Sequence, residues 1–280
     1  GYPGTCLAID PSGKSAAIGH KWYVSLVDIA MADIDRVFPT DVEPIDIHYN
    51  SHSVYVVNGI YESVSLHCTN VKTGRQFRTP SQFLGGSSGC LSAAGDALYV
   101  VNFGVSPQDA ERWMLKPDTA YYLYDSPYHG DYHFGADLWA LKDGKRIVSG
   151  SALVFAASSD RASDMRFVQK VDPVSYLSIN SFYHDSVTGH CYAIDCYTAK
   201  QDTLAPDVKQ FSDSDFSCTG GYTIPALGKT DHVRYERLHP LPRHVFVNAS
   251  GESIHIIATP SEKDFSHIVV GTVSRKDFKL

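Results

Sequence analysis

The sequence predicts an all-β protein, a single β-propeller over residues 1–280, on three observations. A strand–turn–strand unit recurs six times, and most of its intervals match the period of a four-stranded propeller blade, about 40–50 residues. Strand-like runs fill the stretches between the units. No amphipathic helix of ordinary length is apparent along the chain.

The units can be followed in order. Residues 6–14 lead through Gly13 into 15–18, and residues 45–52 lead into the run Ser53-Val-Tyr-Val-Val-Asn58. Residues 90–96 turn at Gly95 into Ala97-Leu-Tyr-Val-Val-Asn102, and residues 138–144 turn at Gly144 into 145–148. Residues 182–189 turn at Gly189 into 190–194, and residues 245–251 turn at Gly251 into 252–257. Each reads as a hairpin because glycine supplies the positive φ of a tight turn, while Val, Ile and Tyr suit the flanking strands. Taking Gly13, His52, Gly95, Gly144, Gly189 and Gly251 as markers, the intervals are 39, 43, 49, 45 and 62 residues.

Residues 22–29, 63–69, 119–124 and 165–171 read as outer strands of the blades. Residues 107–115 are expected to form one or two helical turns within a loop, Pro107 taking the first helical position. Six blades match the six hairpins; a seventh would have to lie in the 62-residue interval, where residues 220–228 read as a worn hairpin or an insertion. Pairing of the N- and C-terminal strands is expected to close the ring, since a propeller leaves only short protected edges.

The runs Val54-Tyr-Val-Val-Asn58 and Leu98-Tyr-Val-Val-Asn102 resemble the repeat of YVTN-type β-propellers, a group similar to surface-layer and lactonase-like propellers. The resemblance implies the propeller fold. It implies little about activity, because the matching residues are strand and turn positions.

Composition removes several function classes. The 24 basic and 31 acidic residues give a net charge of −7 without blocks of like charge, a poor match for a nucleic-acid backbone. No apolar run approaches the roughly 18–20 residues of a membrane span. The chain opens on Gly1, which reads as a trimmed terminus. Six cysteines are too few for a disulfide scaffold, and most are expected to be free, buried thiols.

Chemistry is expected on the face formed by the loops entering each blade and the loops joining second and third strands. Those loops offer Trp22, Asn58, Tyr61, Asn102, Phe103, Asp46, Asp137 and Arg243, an aromatic and amide-rich set suited to stacking and hydrogen bonding. The expected function is a non-catalytic extracytoplasmic propeller (periplasmic, cell-surface or secreted) that binds a protein, peptide or carbohydrate and needs no cofactor. The alternative is a lactonase-like or other metal-dependent hydrolase. It would hold a divalent cation such as calcium or zinc in the central channel on Asp46, Asp137 and Asn180. His129 and His133 lie about 13 Å apart if extended, too far to share one ion, so residues 125–133 are expected to form a polar, exposed loop.

Overall fold

The computed structural model describes residues 2–58, 66–79, 87–102, 106–171, 179–195, 206–225, 227–228, 237–238, 240–260 and 268–279. Among them the chain is a six-bladed β-propeller, nearly all strand and without an α-helix. The first blade is β1 (Gly4–Ile9), β2 (Ser15–His20), β3 (Tyr23–Asp28) and β4 (Asp33–Pro39). The second is β5 (Pro44–Tyr49), β6 (Ser53–Asn58), β7 (Leu66–Asn70) and β8 (Gln76–Arg78). The third is β9 (Ser87–Leu91), β10 (Ala97–Asn102), β11 (Asp109–Lys116) and β12 (Thr119–Asp125). The fourth is β13 (Leu138–Ala140), β14 (Arg146–Ser149), β15 (Leu153–Ala156) and β16 (Phe167–Lys170).

The fifth blade is β17 (Ile179–Asp185), β18 (His190–Asp195), β19 (Val208–Ser212) and β20 (Cys218–Tyr222). A short pair follows, β21 (Leu227–Gly228) and β22 (Arg237–Leu238). The sixth blade is β23 (Leu241–Val247), β24 (Ser253–Thr259) and β25 (Val269–Ser274). Every blade is an antiparallel meander in chain order. Among the described residues the long interval holds the short antiparallel pair β21–β22 and no further blade, and residues 220–222 of the expected worn hairpin or insertion belong to β20.

The five marker glycines all take the left-handed conformation, with φ between 69° and 76°, as the hairpin reading requires. Residues 109–116 correct the expected helix: they are β11, paired along its length with β10 and with β12. Ala110, Glu111, Arg112 and Trp113 are all buried. A strand covered on both faces by neighbouring blades outweighs a proline start signal. The expected pairing of the terminal strands is also corrected among the described residues. β1 pairs with β2 and β25 with β24, each inside a local meander, while Lys279 bridges to Gly221 beside β20.

The chain forms two compact units, Gly1–Ser149 with Phe155–Phe167, and Gly150–Val154 with Val168–Leu280. In the first unit, Val54 and Val56 of β6 pack against Ala17, Val24 and Leu26 of the first blade. Tyr55 and Val57 pack the opposite way, on Leu98, Val100 and Trp113 of the third. A central strand sandwiched between two blades must be apolar on both faces, which is why the Val-Tyr-Val-Val run lacks polar alternation. In the second unit the same layering joins Tyr192, Ile194 and Val208 to Val245, Val247, Ile254 and Ile256.

Candidate ligand-binding site

The first strands of the second, third and fourth blades bring four polar side chains together within the first unit. Asp46 and His48 lie two apart on β5 and so share a face. Both oppose residues of β6, Val57 and Tyr55, that face the third blade. Ser88 stands on β9, and Asp137 immediately precedes β13. Ser88 Oγ lies 3.2 Å from Asp46 Oδ2 and 2.9 Å from Asp137 Oδ1. The Gly89 amide donates to Asp46 Oδ2 at 3.0 Å, and the Ile47 amide to Asp46 Oδ1 at 2.8 Å. The Leu138 amide donates to Asp137 Oδ1 at 2.9 Å. His48 Nε2 sits 3.1 Å from Asp46 Oδ2, but off the line of a directed hydrogen bond. Their interaction is an ion pair.

The electrostatics separate the two carboxyls. Burial, reinforced by the charge of Asp46, pushes Asp137 up to about 6. Burial also opposes ionisation of Asp46, yet the His48 charge and the Gly89 and Ile47 amides hold it below the usual carboxylate range. His48 is raised above its ordinary value: burial disfavours its charge, but Asp46 and more weakly Asp137 outweigh that. Two thiols flank the group. Burial raises Cys6 to about 11 and Cys90 higher still, so neither is a thiolate nucleophile near neutral pH. Cys6, Cys68, Cys90 and Cys218 are free thiols; Cys196 lies outside the described residues.

Of the residues singled out in the sequence, Asp46 and Asp137 converge, with Ser88 between them. Asn58 and Asn102 occupy the same repeat position, the last residue of β6 and of β10. Both are buried, at 1% and 4% exposure, and among the described residues neither side-chain oxygen Oδ1 meets a hydrogen-bond donor. Trp22 lies in the β2–β3 turn with 43% exposure and a φ of 73°, the Lys21 ammonium 5.5 Å from its ring centre. Asn180 and Arg243 belong to the second unit: Asn180 is exposed on β17, and Arg243 Nε donates to Thr259 Oγ1 at 3.0 Å. Tyr61 and Phe103 lie outside the described residues. Sequence reading missed the roles of His48 and Ser88. The period-2 alternation in Ile45-Asp-Ile-His48 already placed the imidazole on the face of Asp46.

Other polar groups in this unit are more self-contained. Asp41 pairs with His67 at 3.1 Å and with Arg78, in a groove of about 400 Å³ between the outer strands of the first two blades. Glu111 is pushed up to about 7 by burial, with Asp125 and Asp109 adding to the effect, and it accepts the Trp113 indole N–H at 2.9 Å. His129 is exposed, its Nδ1 3.4 Å from Asp109 Oδ2. Tyr128 and Tyr132 of the same loop pack on Phe155, so its tyrosines anchor what the sequence suggested was a polar segment. Among the described residues no group of three or more His, Cys, Asp or Glu side chains is placed to hold a metal ion.

Comparison with known proteins supports the fold. No protein-family model and no curated protein sequence matches the chain. Among solved structures, the β-propeller domain of Cps50 (Swd1) from Myceliophteria thermophila superposes with a TM-score of 0.63 at 11% identity. That match covers 96% of this chain and 83% of the other. Hydrazine synthase from Kuenenia stuttgartiensis superposes with a TM-score of 0.59 at 14% identity, over 90% of this chain and 73% of the other. At such identities the likeness defines a class, the β-propellers, and carries no activity across.

Proposed function

We propose that this propeller is a recognition module that binds a polypeptide segment on the end of the first unit where the first strands begin. One observation carries the reading. Asn58 and Asn102, at the same position of adjacent blades, each bury an acceptor that meets no donor. A buried, unsatisfied polar atom costs about 1–3 kcal/mol, and an incoming backbone or side-chain N–H would remove that cost. Burial keeps Cys6 and Cys90 protonated near neutral pH, which favours binding over thiolate catalysis at this site. On the resemblance to YVTN-type repeats, we assign the module to an extracytoplasmic compartment.

Selection from a display library of random 12-residue peptides tests the reading. Enrichment of a sequence family that binds the purified protein saturably, and that loses binding to an Asn58→Leu/Asn102→Leu double variant, is the expected result. Failure to enrich any family, or equal binding to a double variant that still folds, would overturn it.

A further inference from the structure

Resting on that reading, we infer that Asp46, Asp137 and the Asn102 carboxamide oxygen form a receptor for a cationic side chain of the bound segment, a lysine ammonium or an arginine guanidinium. The arrangement has more acceptors than donors. Ser88 carries one hydroxyl proton and stands within hydrogen-bond distance of two carboxyl groups. It can donate to only one of them at a time. With both carboxyls ionised, one contact is oxygen against oxygen. The His48 imidazole beside Asp46 offsets part of that repulsion; the remainder is relieved by a proton on Asp137 or by an external cation.

A second, independent feature points to the external donor. Asn102 follows Leu98 and Val100 on one face of β10, and those residues pack on Tyr55 and Val57 of β6. Val57 opposes Asp46 across the β5–β6 ladder. The Asn102 side chain therefore emerges toward the seam that holds Asp46, with its Oδ1 buried and unpartnered. The seam remains reachable, because the Asp46 side chain keeps 23% of its surface exposed. A primary ammonium offers three donors and a guanidinium five, enough to meet two carboxylates and an amide oxygen together.

The titratable groups facing Asp137 are Asp46 and His48 from β5 and Cys90 from β9, with Cys6 of β1 beside Asp46. Both thiols stay protonated near neutrality. Cation binding must then displace the proton from Asp137, so binding releases a proton in acid and none in base.

Calorimetry with N-acetylated, C-amidated Gly-Lys-Gly and Gly-Arg-Gly, against Gly-Gln-Gly, tests the inference. The expected result is saturable binding of the basic peptides alone, about tenfold tighter at pH 7 than at pH 5. Measurements in buffers of different ionisation enthalpy should show close to one proton released at pH 5 and almost none at pH 8. Asp46→Asn and Asp137→Asn should each weaken binding at least tenfold at pH 7, while Asp125→Asn should not. Equal binding of the glutamine peptide, no saturable binding, or unchanged affinity in correctly folded Asp46→Asn and Asp137→Asn would overturn it. If the display library enriches peptides lacking Lys and Arg, this inference falls while the recognition module stands. An empty selection removes both.

Discussion

Two buried polar networks in the first unit differ in how completely they are satisfied. One is built around Asp164, which accepts four hydrogen bonds. They come from the Tyr99 hydroxyl at 3.0 Å, the Ser158 amide at 2.7 Å, Arg112 Nη1 at 2.9 Å and the Tyr124 hydroxyl at 3.1 Å. Arg112 also stacks over the Tyr99 ring at 5.2 Å and donates to the Ser158 carbonyl, leaving Nε without a partner. The other is the Asp46–His48–Ser88–Asp137 group, where one hydroxyl serves two carboxyls. Four donors on a carboxylate fill its acceptor sites, so the Asp164 network is a lock between strands. A surplus of acceptors is a poor lock and a good receptor. The shortfall lies at Asp137: among the described residues it meets the Leu138 amide and a shared Ser88 hydroxyl, whereas Asp46 meets the Ile47 and Gly89 amides, Ser88 and His48.

The largest expected effect tests the lock. The Asp164 side chain is fully buried and that of Arg112 nearly so. Asp164→Ala strands the guanidinium and three further donors, and should destabilise by about 3–5 kcal/mol in urea unfolding. A loss below about 1 kcal/mol would show that this network does not hold the fold.

A smaller effect of opposite sign is expected at the receptor. The folded-state value of Asp137, about 6, lies above its ordinary 3.8, so the folded protein binds a proton more tightly than the unfolded chain. Its contribution is present in acid and is lost as pH rises from about 4 through 6. The raised His48 acts in the same direction, losing its contribution as pH rises through its folded value. Asp46 acts in the opposite direction, because its lowered value costs stability as pH falls. Asp137→Asn should therefore be more stable than the wild type at pH 7, by on the order of 2 kcal/mol, and should show a flatter stability profile between pH 4 and 7. If the variant keeps the wild-type slope, Asp137 is not the group that carries the strain.

A third test perturbs the receptor's frame without touching its side chains. Gly144 joins β13 to β14 at a φ of 70°, and a Cβ there would meet little beyond Ala93 at 3.3 Å. Gly144→Val should cost about 1–2 kcal/mol from the left-handed backbone alone. A neutral result would mean that the turn rearranges, and the Asp137 geometry with it.

The fold was readable because its signals are local and repeated: a turn glycine, then a strand apolar on both faces. The site was half readable. Asp46 and Asp137 stood out as carboxylates in entering loops, but their meeting depends on Ser88, 42 residues from one and 49 from the other. No local pattern encodes that distance. Asn58 and Asn102 were visible as repeat positions, whereas the lack of a donor at each Oδ1 is a property of packing. The misread helix at 107–115 has the same origin, since strand pairing on both sides decides β11. The β21–β22 pair carries no periodic signal, and Gly220 and Gly221, which suggested a worn hairpin, lie in β20, the outer strand of the fifth blade.

The smallest expected effect asks how far the binding surface reaches beyond the receptor. Trp22 is half-exposed and makes its backbone hydrogen bonds to Val42 and Thr40 through main-chain atoms that any residue supplies. Trp22→Ala should change stability by no more than about 0.5 kcal/mol. The left-handed φ remains in that variant, so no strain is relieved. Trp22→Gly isolates the strain and should stabilise by up to about 1 kcal/mol relative to Trp22→Ala. Capped tripeptides are too short to extend from Asp46 across the first blade, so their affinity should be the same in both variants. Longer library-selected peptides should weaken severalfold if the indole stacks on the bound segment, and should be unaffected if recognition ends at the receptor. A large fall in melting temperature for Trp22→Ala would instead make the indole a packing residue of the first blade, and would move the edge of the binding surface back to Asn58.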